Sequence, residues 1–169
     1  FSDVGAILSI PWSVHGLVNT NGASGEMVRI GVQPVSGSYF STLGVNAGLG
    51  RVITDADDQV DGQHPVAVAS RAWWESRLGG DPAAIGKTVT IDNIAYTIIG
   101  VAPKEFFGTT VGQAPDLWIP LAMEAQLPPG HWKGRANPEW QSLHLIDKLK
   151  NGVSNEHASA AVNQLFKQS

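Results

Sequence analysis

The chain has 169 residues, 43% hydrophobic and 8% aromatic, which is the size of one domain or two small lobes and enough to bury a core. Charged residues make up only 15%, against 19 Gly and 10 Pro, and this predicts a loop-rich fold with a polar, weakly charged surface. A net charge of −4 without any Lys/Arg cluster removes the electrostatic basis of nucleic-acid binding, and the absence of Cys excludes thiol catalysis, disulfides and zinc–thiolate sites.

Residues 1–8, with Phe1, Val4, Ile7 and Leu8 at helix-like spacing, are expected to be the end of a helical element. Val14 to Val18 and Met27 to Val32 predict a hairpin across the turn-forming stretch 19–25. In its second strand Val28, Ile30 and Val32 alternate with Arg29 and Gly31. Ser36 or Ser38 can cap a short helix carrying Tyr39, Phe40 and Leu43 on one face, and Gly44 can end it. Val66 to Ala69 predicts a buried strand. Ser70 then caps a helix through Leu78 that Gly79-Gly80 stop. A single turn follows Asp81-Pro82. Thr88 to Ile91 and Tyr96 to Val101 predict a second hairpin about Asp92-Asn93. Leu117 to Leu121 predicts a strand, placed at a sheet edge because of Pro115 and Pro120. Residues 127–140 have no periodicity and are expected to be a long loop. Leu143, Leu145, Asp147 and Leu149 alternate as a strand. Ser154 opens a last amphipathic helix with Ala158, Ala161, Val162, Leu165 and Phe166 on one stripe.

No stretch of these residues reaches the roughly 18 apolar positions that span a bilayer. The chain opens at Phe1, inside an apolar phrase and without an initiator Met, as expected of a segment excised from a longer protein.

Sequence signals for catalysis are missing. There is no Walker sequence, nucleophile elbow, zincin helix or dinucleotide fingerprint, and the glycines of 44–50 lack the lysine that would hold phosphate. An EF-hand loop starting at Asp55 would put Val60 where glycine must turn and Val66 where the bidentate glutamate belongs. Asp55, Asp57, Asp58 and Asp61 therefore read as a helical turn capped by Thr54. His15, His64, His131, His144 and His157 have no metal-like spacing. A carboxylate pair for glycoside hydrolysis could in principle come from Asp57, Glu75 and Glu105, but nothing in their spacing singles them out. No cofactor or metal is expected.

Six tryptophans carry more information. Trp73 and Trp74 are neighbours on one helix, so one of them is expected to be partly exposed. Trp118 lies in a strand and should be core. Trp132 and Trp140 fall in the 127–140 loop, and Phe106 and Phe107 in a Gly-flanked turn. Aromatics in such loops either anchor the loop or mark a surface for a partner or a sugar. Phe106, Phe107, Trp132 and Trp140 are therefore the candidate partner-binding residues.

Several phrases also occur together in a fixed order. Val35-Ser36-Gly37-Ser38-Tyr39-Phe40 leads to Leu43-Gly44-Val45 and Leu49-Gly50-Arg51. His64-Pro65-Val66-Ala67-Val68 and Trp74 follow, then Gly79-Gly80-Asp81-Pro82 and Ile85-Gly86-Lys87. Ile98-Ile99-Gly100-Val101-Ala102-Pro103, Phe107-Gly108 and Pro115-Asp116-Leu117-Trp118-Ile119-Pro120-Leu121 complete the series. In this order, over roughly residues 30–166, they resemble the periplasmic core domain of MacB/FtsX-like ABC transporter permeases.

The resemblance implies an α+β, two-lobed domain. Residues 31–141 would form an inserted outer lobe with a mixed β-sheet. Residues 1–30 and 142–169 would form a membrane-proximal βαβ-type lobe, incomplete at its N-terminal side. It also implies a non-catalytic role on the periplasmic or extracytoplasmic face of the cell membrane. There the domain would relay ATP-driven motion and dock partners in transport or efflux. The implied partners are the remainder of the permease and its ATPase, a periplasmic adaptor or substrate protein, and a second permease copy. The alternative is a carbohydrate- or small-ligand-binding module.

Overall fold

Alternation decides the longest strand. Met27 and Arg29 face solvent, while Val28, Ile30 and Val32 are 6%, 0% and 0% exposed, the period-two pattern of a strand with one face on a core. The computed structural model describes residues 4–8, 12–18, 26–126 and 143–148. Within them run nine strands: β1 (Val4–Leu8), β2 (Trp12–Val18), β3 (Glu26–Val35), β4 (Leu49–Gly50), β5 (Val66–Ala69), β6 (Thr88–Ile91), β7 (Ile94–Val101), β8 (Leu117–Pro120) and β9 (Leu143–Asp147). Two α-helices, α1 (Tyr39–Leu43) and α2 (Arg71–Leu78), join them, with 3₁₀ turns at Asp55–Asp57, Pro82–Ala84 and Leu121–Gln126. The expected helix after Ser154 and the 127–140 loop lie outside the described residues.

All nine strands belong to one mixed sheet in the order β2-β6-β7-β5-β8-β3-β1-β9, with β4 attached to β7. The β3–β8 and β5–β7 pairs are parallel and the others antiparallel. Because β2 also pairs with β3, the six strands β2, β6, β7, β5, β8 and β3 form a continuous ring of pairings. β1 and β9 extend from it as an arm, with Ile7 of β1 opposite Val35 at the end of β3.

Two apolar cores follow from this. Val28, Ile30 and Val32 of β3, Val89 and Ile91 of β6, and Leu117 and Ile119 of β8 share one cluster. Each such aliphatic side chain contributes about 1.5–3 kcal/mol of burial. On alternate positions Val35, Val68 and Trp118 face the other way and meet Ile7, Tyr39, Phe40 and Ile53 in a second cluster.

Local signals explain much of the connectivity. The β6–β7 hairpin turns on Asp92 and Asn93 with φ of 47° and 67°, the two left-handed residues that a type I′ turn requires. The Ser70 hydroxyl accepts from the Trp73 N–H at 3.2 Å and starts α2.

Four expectations are corrected. Residues 4–8 form a strand and not a helix end, since a five-residue apolar run does not reveal its period and β9 supplies a backbone partner. Ser38 occupies the N-cap position of α1 but makes no side-chain cap. Instead its hydroxyl donates to Val4 O at 2.6 Å, and the Ser36 hydroxyl accepts from the Ala6 N–H at 2.8 Å, so both serines clip β1 to the sheet. β8 is interior, paired with β3 and β5 and fully buried; Pro120 is tolerated because the strand ends there. Trp73 and Trp74 are both buried, at 4% and 6% exposure. Trp74 is covered from the side by its indole N–H bond to Asp81 O (3.0 Å) and by the Arg71 guanidinium 4.6 Å from its ring centroid.

The acidic phrase is structural. Thr54 and Asp57 form a reciprocal capping box around the 3₁₀ turn. Asp57 also accepts two bonds from Arg51, at 2.6 and 2.8 Å. Asp58 accepts from the Ala122 and Gly37 N–H groups, tying two distant loops together. Burial pushes the Asp57 carboxyl up, but the bonds from Arg51 and Thr54 outweigh it and hold it below the ordinary carboxylate range. A lowered folded-state pKa stabilises above the unfolded value and is lost as pH falls through the folded one. Asp57→Asn is therefore expected to cost about 1–2 kcal/mol at pH 7, discounted because Arg51 is largely exposed. In urea unfolding, the gap from the parent protein should shrink as pH drops below about 4. A gap that stays constant down to pH 3 or so contradicts this assignment.

Candidate functional site

The segment between β7 and β8 carries no charged residue from Phe106 to Ala114, and its backbone turns at Gly108 and Gly112 with φ of 92° and 79°. Phe106 faces inward. Its ring lies 5.3 Å from that of Trp118, 5.8 Å from Phe40 and 6.2 Å from Tyr39, centroid to centroid, in tilted and edge-on contacts. The Tyr39 hydroxyl lies 3.3 Å from Thr109 Oγ1 and pins the next stretch, and burial pushes its pKa up, so it stays a neutral phenol. At the far end Asp116 exchanges two 2.8 Å bonds with Gly31 and its carbonyl accepts from Ser70 N at 2.8 Å. Burial raises the Asp116 carboxyl, outweighing the Gly31 bond and Arg77.

Between these anchors the side chains turn outward. Phe107 is 66% exposed and Val111 fully exposed. Residues 107–114 line an open hollow of about 370 Å³. A neighbouring cleft of about 220 Å³ places Phe106 and Phe107 beside Arg71, Glu75 and Lys104 at the start of α2. The result is an uncharged loop, anchored at both ends, that presents Phe107 and Val111 to solvent.

Of the candidate partner-binding residues, the structure separates Phe106, an anchor, from Phe107, which is presented to solvent. Trp132 and Trp140 lie outside the described residues. Val111 was not found from the sequence; the bracketing Gly108 and Gly112 are the signal that could have located it. Trp73, Trp74 and Trp118, whose side chains are described, are all buried and offer no flat platform for a sugar.

The weighed carboxylates are used apart. Asp57 pairs with Arg51, Glu75 with Arg71 at 2.6 Å on one turn of α2, and Glu105 is exposed. Among the described residues no group of three or more His, Asp or Glu could hold a metal ion, and no helix is long and apolar enough to cross a membrane.

Over residues 3–165 the chain matches the family described as the MacB-like periplasmic core domain. The fold is similar to the solved periplasmic region of MacB from Actinobacillus actinomycetemcomitans, with a TM-score of 0.66 and 18% identity, covering 99% of this chain and 68% of that one. It is also similar to a permease-protein domain from Porphyromonas gingivalis (TM-score 0.63, 17% identity, 98% of this chain and 69% of that one). The extracellular domain of the noncanonic ABC-type transporter YknZ from Gram-positive bacteria matches with a TM-score of 0.54 at 18% identity, over 72% of this chain and 56% of that one. No curated protein matches. With the family match running almost end to end and the mixed α+β fold agreeing with it, the chain belongs to the MacB-like periplasmic core domain family, the extracytoplasmic part of an ABC-type transporter permease.

Proposed function

We propose that this domain relays ATP-driven motion across the membrane and docks a periplasmic adaptor or substrate protein through the loop that presents Phe107 and Val111. ATP hydrolysis belongs to a fused or separate cytoplasmic ATPase. The outer lobe expected at 31–141 and the membrane-proximal lobe expected from 1–30 and 142–169 share one sheet, since β3 crosses the boundary at 30/31 and β2 pairs with β6, so they would move as one body, with two permease copies side by side. The observation that carries the docking reading is the loop itself: Phe107 and Val111 exposed, yet tied through Phe106 to the Trp118 core. A rigid apolar tip binds at a lower ordering cost than a mobile one, and apolar residues kept in water without packing duty mark interaction surfaces.

The test is a Phe107→Ser/Val111→Ser pair in the parent permease, scored by complementation of a strain lacking it. Stability should change by no more than about 0.5 kcal/mol, as for surface substitutions. Loss of two interface anchors should weaken docking by about tenfold or more, and complementation should fall with it. A double variant that folds and complements fully removes the docking role.

A further inference from the structure

The cleft beside the start of α2 joins an apolar wall to an unanswered positive charge. Phe106, Phe107 and Pro115 supply the wall, and Arg71, Glu75 and Lys104 the charged side. Arg71 is already used. Its Nε donates to Glu75 at 2.6 Å and its guanidinium lies over the Trp74 ring, so these two charges offset each other within one turn of helix. Lys104 is exposed and has no hydrogen bond or ion pair with the described residues. Glu105, next in the chain, does not line the cleft. Of the three charges there, that of Lys104 alone meets no opposite charge among the described residues.

We propose that this cleft takes an acidic side chain standing beside an apolar one on the docking segment of the partner protein. The apolar side chain would cover Phe107, and the carboxylate next to it would meet Lys104. Size favours a peptide segment: at about 220 Å³ the cleft is smaller than the roughly 300–1,000 Å³ of small-molecule sites. Charge favours a separate protein over the rest of this chain. Segment 127–142 holds Lys133, Arg135 and Glu139, and segment 149–169 holds Lys150, Glu156 and Lys167, so with two cations against one carboxylate each is net +1 and repelled by Lys104. An acidic segment is attracted instead, and opposite charges across an interface steer encounter and fix register. The proposal deepens the docking role given to Phe107 and Val111 and rests on it.

The test is a charge series at Lys104 in the parent permease, complementing a strain that lacks it, beside the Phe107→Ser/Val111→Ser pair. Lys104→Arg should complement fully and Lys104→Gln in part. Lys104→Glu should need about tenfold more permease for the same growth, because like charges then face each other. Urea midpoints should match the parent throughout, as for other surface substitutions. Arg29→Glu, which reverses an exposed charge outside the cleft, should complement fully. Full complementation by Lys104→Glu overturns the proposal. An equal loss from Arg29→Glu also overturns it, since net charge would then be the cause. Lower urea midpoints for both Lys104→Gln and Lys104→Glu would place the carboxylate within the chain, and a changed oligomeric state of the detergent-solubilised permease would make a second copy the occupant; either result overturns the proposal. If Lys104→Glu complements and the Phe107→Ser/Val111→Ser pair does not, docking stands without the carboxylate. If both complement, docking itself falls.

Discussion

Trp118→Ala is expected to lower the stability of the domain by about 3–5 kcal/mol, the range for removing a large buried aromatic side chain. Trp118 is fully buried, and its ring meets Phe40 at 5.9 Å and Phe106 at 5.3 Å. These are three different elements: β8 in the middle of the sheet, α1 under the arm, and the loop that presents Phe107. A cavity at this junction cannot be closed by one side chain moving in, because each neighbour is held by its own backbone pairings. Domains of this size carry only about 5–15 kcal/mol in all, so the variant would approach the unfolding threshold. In urea, with a slope of about 2 kcal/mol per molar, the midpoint should fall by about 2 M. Trp118→Phe, which refills part of the space, should lose less than half as much. A midpoint shift under about 0.5 M for the alanine variant would mean that the four rings do not form a shared core. The loop test on Phe107 and Val111 is the contrast: one ring away from Trp118, and without effect on stability.

The parts of the fold that could be read from sequence are those decided locally. Strict alternation marked β3, Asp92-Asn93 marked the type I′ hairpin, and Ser70 with Gly79-Gly80 bounded α2, because each signal acts within a few residues. Most of the misreadings concern long-range partners. β1 looked helical because its five apolar residues carry no information about β9, 135 or more positions away. β8 looked like an edge because its prolines were weighed without knowing that Val32–Val35 and Val68–Ala69 flank it. The two tryptophans of α2 were expected to compete for one core, whereas Arg71 and the Asp81 carbonyl supply Trp74 with a second cover. At the site, the aromatic pair was visible and its division of labour was not. Which of Phe106 and Phe107 faces inward depends on Tyr39, Phe40 and Trp118, and no local pattern encodes their convergence.

Gly100→Ala should be among the most damaging of the small substitutions, at about 3 kcal/mol, the upper end for overpacking. The residue sits in β7 where three strands meet, paired with Gly50 of β4 on one side and Val68 of β5 on the other. A Cβ there would lie 2.0 Å from the Arg51 carbonyl oxygen and 2.9 Å from its carbon. Both are backbone atoms, and that backbone is fixed: the Arg51 N–H donates to Ile99 O at 2.9 Å, and its side chain is held by Asp57. Nothing at the contact is a flexible side-chain end that could swing away. Gly44→Ala separates this from the general cost of losing glycine. Gly44 has φ of 68°, but a methyl group added there would meet no heavy atom within 4 Å, so alanine should cost about 1 kcal/mol of backbone strain alone. Urea unfolding of the two variants side by side decides the matter. Losses of equal size would mean that β7 carries no close crossing, while a gap of about 2 kcal/mol places the constraint at the backbone contact itself. The glycine in Ile98-Ile99-Gly100-Val101 then has a physical reason: a strand core of branched residues must be interrupted at the one position where the chain after β4 passes directly over it.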